Sequence, residues 1–166
     1  MHRPPSMRLV LPALLAGSVA GLAPAAPRPD PRHSPDDVVG FELAALRDND
    51  VPAADAGIEI VFAFSSPENR AATGPLSHFV ALVKSPAYRP LLGHRRAARE
   101  PMHTDGDEAG QRVTVTAADG DEVTYVFTLS RQPAGAVCAR CWMTDGVLRL
   151  PDAAAPARRV AVSARR

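Results

Sequence analysis

The order of secondary-structure signals between Ser34 and Leu150 constrains the fold of this chain more than any other feature. Three helical patterns come first, and four strand patterns follow them. When helices are grouped ahead of an antiparallel sheet, the sheet must bury one face against those helices. The order therefore predicts an α+β domain in which three N-terminal helices pack in a curved four-stranded antiparallel sheet.

The predicted helices have distinct start and stop signals. Ser34 can cap a first helix whose apolar stripe ends near Asn49. A second helix is expected over residues 52–64, although its single glycine weakens it. A short turn over residues 66–74 separates it from the third helix, which opens at Pro75.

The clearest strand alternates apolar and polar side chains. Its apolar row is Val123, Tyr125, Phe127 and Leu129. The preceding strand carries Val113 and Val115, and both rows must lie on the same face of the sheet. This requirement predicts a loop of three or five residues around Gly120, which pairs Val115 with Tyr125 and Val113 with Phe127.

The two remaining strands are less regular. The last strand is expected from Ala136 to about Asp145, and Gly146 is expected to bend it before Val147. Residues 94–99 carry several charges, which suits a strand at the edge of the sheet.

The N-terminus has the pattern of a targeting segment. Arg3 and Arg8 precede an apolar run over residues 9–22, and a small-x-small site permits cleavage after Ala25. Residues 1–25 therefore predict a signal peptide and an exported protein, periplasmic or secreted. The alternative is a plastid presequence. The run is too short and too interrupted for a stable membrane span.

The other boundaries follow from proline-rich composition. Residues 26–34 are expected to form an extended linker, and residues 151–166 a disordered tail. Residues 35–150 remain as a single domain. The formal net charge of +1 provides no overall field that would attract nucleic acid, so no nucleic-acid partner is expected.

Four motifs within this domain resemble those of an uncharacterised family found in bacteria and photosynthetic eukaryotes. They are Ser66-Pro67-x-Asn69-Arg70, Thr73-Gly74-Pro75, Tyr88-x-Pro90-Leu91-Leu92 and the segment from Cys141 to Val147. That family is similar to the nuclear transport factor 2-like, or cystatin-like, superfamily. The resemblance implies a cone-shaped fold in which a curved sheet wraps around helices. Members of this superfamily include isomerases, dehydratases, cyclases and noncatalytic proteins. It implies no assigned activity.

The two cysteines are expected to stay unbonded. In a regular strand the side chains of Cys138 and Cys141 would point to opposite faces of the sheet. Their Cα atoms would be about 10 Å apart, which is too far for a disulfide. Only a turn at Ala139 or Arg140 would allow the bond. No metal site is expected, because His78, His94 and His103 have no ligand spacing, and a buried Cys141 is the preferred interpretation.

Few residues offer acid–base chemistry. The catalytic candidates are Asp145, Tyr125 and His78, and each has a structural alternative as a turn, core or surface residue. The expected ligand pocket is lined by Tyr88, Tyr125, Phe127 and Phe79. No cofactor motif is present in the sequence.

The sequence therefore favours a noncatalytic module that binds a small apolar ligand or a protein partner. A homodimer through the outer sheet face is a further expectation. The alternative is a cofactor-free isomerase, dehydratase or cyclase. An inward carboxylate or histidine within hydrogen-bond reach of Tyr125 or Tyr88 would favour the enzyme.

Overall fold

The computed structural model describes residues 25–151. The predicted signal peptide, apart from Ala25, lies outside the described residues, and so does the predicted tail beyond Pro151. The expected linker has no helix or strand, but His33 packs edge-on against Phe41 with 4.9 Å between ring centroids. The segment before the first helix is therefore in contact with the domain.

Four α-helices and one short 3₁₀ helix lie within residues 25–151, where the sequence predicted three helices. Ser34 caps the first helix as expected, since its hydroxyl accepts a hydrogen bond from the Asp37 amide at 3.1 Å. The helices are α1 (Pro35–Arg47), α2 (Ala56–Phe64), α3 (Pro67–Thr73) and α4 (Leu76–Val83), and the 3₁₀ helix spans Arg89–Leu91.

Two details of the helix prediction were wrong. The segment expected as one short turn is α3, which Ser66 caps through the Asn69 amide. The second helix starts at Ala56 and not at Pro52. Gly57 lies at its start because α1 is very close: an added Cβ atom would be 2.0 Å from the Ala45 carbonyl oxygen.

Within the described part of the chain, five strands form one antiparallel sheet, where the sequence predicted four. The strand order is β1-β3-β4-β5. Strand β2 also pairs with β3, on the same side as β1 but nearer the start of β3. The strands are β1 (Arg96–Arg99), β2 (His103–Asp105), β3 (Glu108–Thr116), β4 (Glu122–Arg131) and β5 (Trp142–Arg149). The sequence missed β2 because its three residues are exposed and have no apolar alternation.

The β3–β4 hairpin has the odd loop length that the sequence predicted. Residues 117–121 connect the strands, and the apolar rows of both strands are buried in one core. The predicted partners were nevertheless shifted by two residues, since Val115 pairs with Val123 and Val113 pairs with Tyr125. A slip of two residues keeps every side chain on its face, so the alternation alone could not detect it.

The sequence-based predictions of where the last strand starts and of two unbonded cysteines were wrong. The strand begins at Trp142, and the residues before it turn, with Arg140 in the left-handed region at φ 66°. This turn brings the Cα atoms of Cys138 and Cys141 to 5.5 Å, and the two residues form a disulfide. The exception recognised in the sequence, a turn at Ala139 or Arg140, is what the structure contains.

The core lies between the helices and one face of the sheet. Tyr125 and Phe127 are fully buried there, as the alternation of β4 predicts. Trp142 is also buried, and the Arg131 guanidinium lies 4.8 Å from its ring centroid. The lone tryptophan is therefore a core residue and does not offer a contact on the outer face of the sheet.

Candidate functional site

A cavity of about 230 Å³ lies between the helices and the inner face of β4 and β5. Its walls are mainly apolar, and they include Leu46 of α1, Val61 of α2, Val83 of α4 and Phe127 of β4. A few polar side chains interrupt this lining: Ser65, Asn69, Thr73 and Thr144. An apolar cavity with a small number of placed polar groups is the usual form of a small-molecule site.

A buried carboxyl group lies behind the polar wall of this cavity. Glu42 of α1 is fully buried, and its Oε1 accepts a hydrogen bond from the Thr144 hydroxyl at 2.8 Å. Its Oε2 has no hydrogen-bond partner among residues 25–151. Burial raises the pKa of Glu42 to about 8, although the Thr144 hydrogen bond opposes the rise. Glu42 is therefore mainly neutral at pH 7.

Local irregularity in β5 decides which way Thr144 points. Leu129 pairs with Thr144 and Thr128 pairs with Gly146, so Asp145 is the extra residue of a β-bulge. Thr144 consequently points inward to Glu42, whereas Asp145 accepts a hydrogen bond from the Ser130 hydroxyl at 2.9 Å. Asp145 neither ends the strand nor reaches the cavity.

The motifs that carried the family resemblance converge on this part of β5. The Thr144 carbonyl accepts hydrogen bonds from the Ser66 amide at 2.9 Å and from the Asn69 side chain at 3.1 Å. The Tyr88 hydroxyl donates to the Val147 carbonyl at 3.0 Å. These residues hold β5 against the helices, so the motifs build the cavity wall.

Arg70, from the same motif as Ser66 and Asn69, has a structural contact as well. Its guanidinium donates to the carbonyl oxygens of Phe62 at 3.1 Å and Ala63 at 2.7 Å. The guanidinium carbon also lies 5.0 Å from the Phe62 ring centroid. Arg70 thus adds hydrogen bonds to carbonyl groups at the C-terminal end of α2.

The structure brings together some of the residues singled out in the sequence and separates others. Tyr88, Phe79 and Phe127 line the cavity. Tyr125 lies beside them, with its ring centroid 6.4 Å from that of Tyr88 and its hydroxyl donating to the Ala87 carbonyl at 2.8 Å. His78 is exposed on α4, away from the cavity lining.

Asp145 belongs to a separate surface groove. This groove runs over β2, the start of β3 and the second half of β4, and its walls include Glu68, His103 and Ser130. Within residues 25–151, no group of three or more histidine, cysteine, aspartate or glutamate side chains is placed to hold a metal ion. None of the helices in that range is long and apolar enough to cross a membrane.

Glu42 and Thr144 are the residues that the sequence analysis missed. Glu42 does carry a signal, because it falls within the apolar stripe of α1, three or four residues from Val38, Val39 and Leu46. An acidic residue on the buried face of a helix must be neutral or have a partner. Thr144 had no comparable signal, since only the bulge turns it inward.

These observations define a compact α+β domain whose helices and sheet enclose a small, mainly apolar cavity. Over residues 32–155 the chain matches the family described as "Domain of unknown function (DUF4864)". The chain belongs to this family. The search of curated proteins and the search of solved structures give no match.

Proposed function

We propose that this domain binds a small, mainly apolar molecule in the cavity between its helices and its sheet. The single observation that carries the proposal is the cavity of about 230 Å³ with its few polar groups. The hydrogen bonds around the cavity argue against a catalytic tyrosine. The hydroxyls of Tyr125 and Tyr88 both donate to backbone carbonyls, and Glu42 bonds to Thr144.

The hydroxyl groups of the cavity wall specify the polar part of the ligand. Thr144 donates to Glu42, Ser65 to the Val61 carbonyl, and Thr73 to the Asn69 carbonyl. A hydroxyl that has donated its single proton keeps only lone pairs for other partners. These three hydroxyls therefore act as hydrogen-bond acceptors, and they fit an apolar ligand that carries a hydroxyl or N–H donor.

A matched pair of probes tests this proposal. We expect 2-naphthol, which has a donor, to bind more tightly than 2-methoxynaphthalene, which has the same ring system and no donor. Thr144→Val, which keeps the shape and removes the oxygen, should lower the 2-naphthol affinity about 3- to 10-fold, the equivalent of one hydrogen bond. Titration calorimetry measures both affinities.

Filling the cavity provides the control. Val83→Phe places a larger side chain on a residue that lines the cavity, and it should abolish binding of both probes. Val126→Phe makes the same change on the outer face of β4 and should leave binding unchanged. The proposal would be contradicted if the probes bind Val83→Phe and Val126→Phe equally well, or if neither probe binds the unmodified protein.

A second candidate function is acid–base catalysis, which the buried Glu42 favours. A carboxyl group with a pKa near 8 can exchange a proton at neutral pH. Thr144 would relay the proton, because Thr144 lines the cavity and Glu42 does not. The test is deuterium incorporation next to the carbonyl group of a cyclic ketone in heavy water. Incorporation that disappears in Glu42→Gln would support catalysis over simple binding.

We also infer that the fold is the cone of the nuclear transport factor 2-like superfamily. The order of helices before strands supports this inference, as does the cavity between the two layers. An experimental structure in which the sheet does not curve around α1 would contradict it.

We propose that the protein is exported after cleavage near Ala25. The apolar run over residues 9–22 supports export. So does the Cys138–Cys141 disulfide, because such bonds persist in oxidising compartments. Intact-mass measurement of native protein should give a chain that starts at Ala26, and a mass that retains Met1 or Met7 would contradict export.

We further propose a homodimer through the outer face of the sheet. The exposed Leu148, which pairs with Val126 there, supports this arrangement. Light scattering should show a dimer for the unmodified protein and a monomer for Leu148→Glu. A monomer for both would remove the proposal.

A further inference from the structure

The two cysteines of the Cys138–Cys141 disulfide differ in solvent exposure. Cys138 is partly exposed and follows the fully exposed Val137, whereas Cys141 is completely buried at the start of β5. An attacking thiolate needs access to the sulfur atom that it attacks. Only the Cys138 sulfur therefore offers an accessible target.

The hairpin around the disulfide is closed by other bonds. The Gln132 amide donates to the Cys141 carbonyl at 2.8 Å, and the Arg140 amide donates to the Gln132 carbonyl at 2.9 Å. These backbone bonds do not require the S–S bond. The disulfide also encloses only a four-residue segment, so it restricts the unfolded chain less than a bond across a long loop would.

The segment between the cysteines has a strained residue. Arg140 has a φ of 66°, in the left-handed region that residues other than glycine rarely adopt. The ring closed by the disulfide includes this residue. Disulfides that are strained or exposed have higher reduction potentials and exchange more readily than buried, unstrained ones.

We propose that Cys138–Cys141 is a redox-active disulfide that exchanges with aliphatic thiols. In the first step, the thiolate of one thiol attacks the Cys138 sulfur. A mixed disulfide forms, the S–S bond breaks, and Cys141 leaves as a thiolate that takes up a proton. A second thiolate attacks the mixed disulfide and releases the Cys138 thiolate. Two thiols are thereby oxidised to one disulfide, and the protein gains two electrons and two protons.

Reduced and oxidised glutathione are the probes for the first test. The purified full chain is equilibrated with defined ratios of the two forms, its free thiols are alkylated, and its mass is measured. We expect a reversible two-thiol transition while the far-ultraviolet circular dichroism and the Trp142 fluorescence keep their folded values. The proposal would be overturned if the disulfide stays oxidised at every ratio of reduced to oxidised glutathione, or if it is reduced only as the protein unfolds.

Two single-cysteine variants test which sulfur reacts. Cys138 in the Cys141→Ser variant should form a mixed disulfide with oxidised glutathione at least about tenfold faster than Cys141 in the Cys138→Ser variant. Both variants must first show folded circular dichroism. If Cys141→Ser does not fold, the alkylation order of the reduced natural chain, read by peptide mass, replaces it. Equal reactivity of the two cysteines would overturn the assignment of Cys138.

Discussion

Strands β4 and β5 are neighbours in the sheet, but they bury their residues in different ways. In β4 every second residue from Val123 to Leu129 is buried, and the residues between them face outward. In β5 three consecutive residues from Trp142 to Thr144 are buried, and a bulge at Asp145 follows. The regular strand supplies core packing. The irregular strand supplies the cavity wall, the partner of Glu42 and the attachment of the disulfide loop.

The largest expected effect tests the packing role of β4. Phe127→Ala removes a fully buried ring, and it should lower the free energy of unfolding by about 3–5 kcal/mol. Urea denaturation measures the change. Thr128→Ala, on the exposed face of the same strand, is the control and should cost well under half as much. A loss below about 1 kcal/mol for Phe127→Ala would mean that the ring contributes little to the core.

The disulfide before β5 should have a smaller effect. Reducing the natural chain removes the constraint on a four-residue segment, which corresponds to about 2 kcal/mol of unfolding free energy. Parallel urea denaturation with and without a phosphine reductant measures it. A loss above about 4 kcal/mol would show that the bond organises the β4–β5 hairpin, and the structural contrast between the two strands would weaken.

The pH dependence of stability tests the contact between Glu42 and β5. The folded-state pKa of Glu42 is about 8 and its ordinary value is 4.5, so the folded protein binds a proton that the unfolded chain has released between these values. Stability from this group is therefore present below about pH 4.5 and is lost as the pH rises towards 8.

Glu42→Gln removes this titration. From pH 5 to pH 8, the natural chain should lose at least about 1 kcal/mol more unfolding free energy than Glu42→Gln. Glu59→Gln, on the exposed side of α2, should behave like the natural chain. Parallel pH profiles for the natural chain and Glu42→Gln would show that Glu42 does not titrate in this range.

The smallest effect concerns the other end of the cavity wall. Tyr88→Phe keeps the ring but removes the hydrogen bond to the Val147 carbonyl, so it should cost about 0.5–1.5 kcal/mol. Hydrogen exchange should increase in the second half of β5 and stay unchanged in the second half of β4, which pairs with the first half of β5. A uniform increase across both strands would show that this bond stabilises the whole sheet.

The features that could be predicted from the sequence depend on neighbouring residues. The Ser34 cap, the apolar row of β4 and the odd hairpin loop arise from contacts within a few residues or from strict alternation. Three of the residues expected around a ligand pocket, Tyr88, Phe79 and Phe127, lie in the lining of the cavity. Glu42 was accessible to the same reasoning, because its place in the apolar stripe of α1 marks it as buried.

Tertiary structure alone decided the remaining features. The Glu42–Thr144 hydrogen bond joins residues 102 positions apart, and it exists because the bulge at Asp145 turns Thr144 inward. The disulfide exists because Arg140 adopts a left-handed conformation that no alternation pattern predicts. Local patterns determine which face of an element is buried. A bulge or a turn changes that pattern at one residue, and only packing against the rest of the molecule determines where the change occurs.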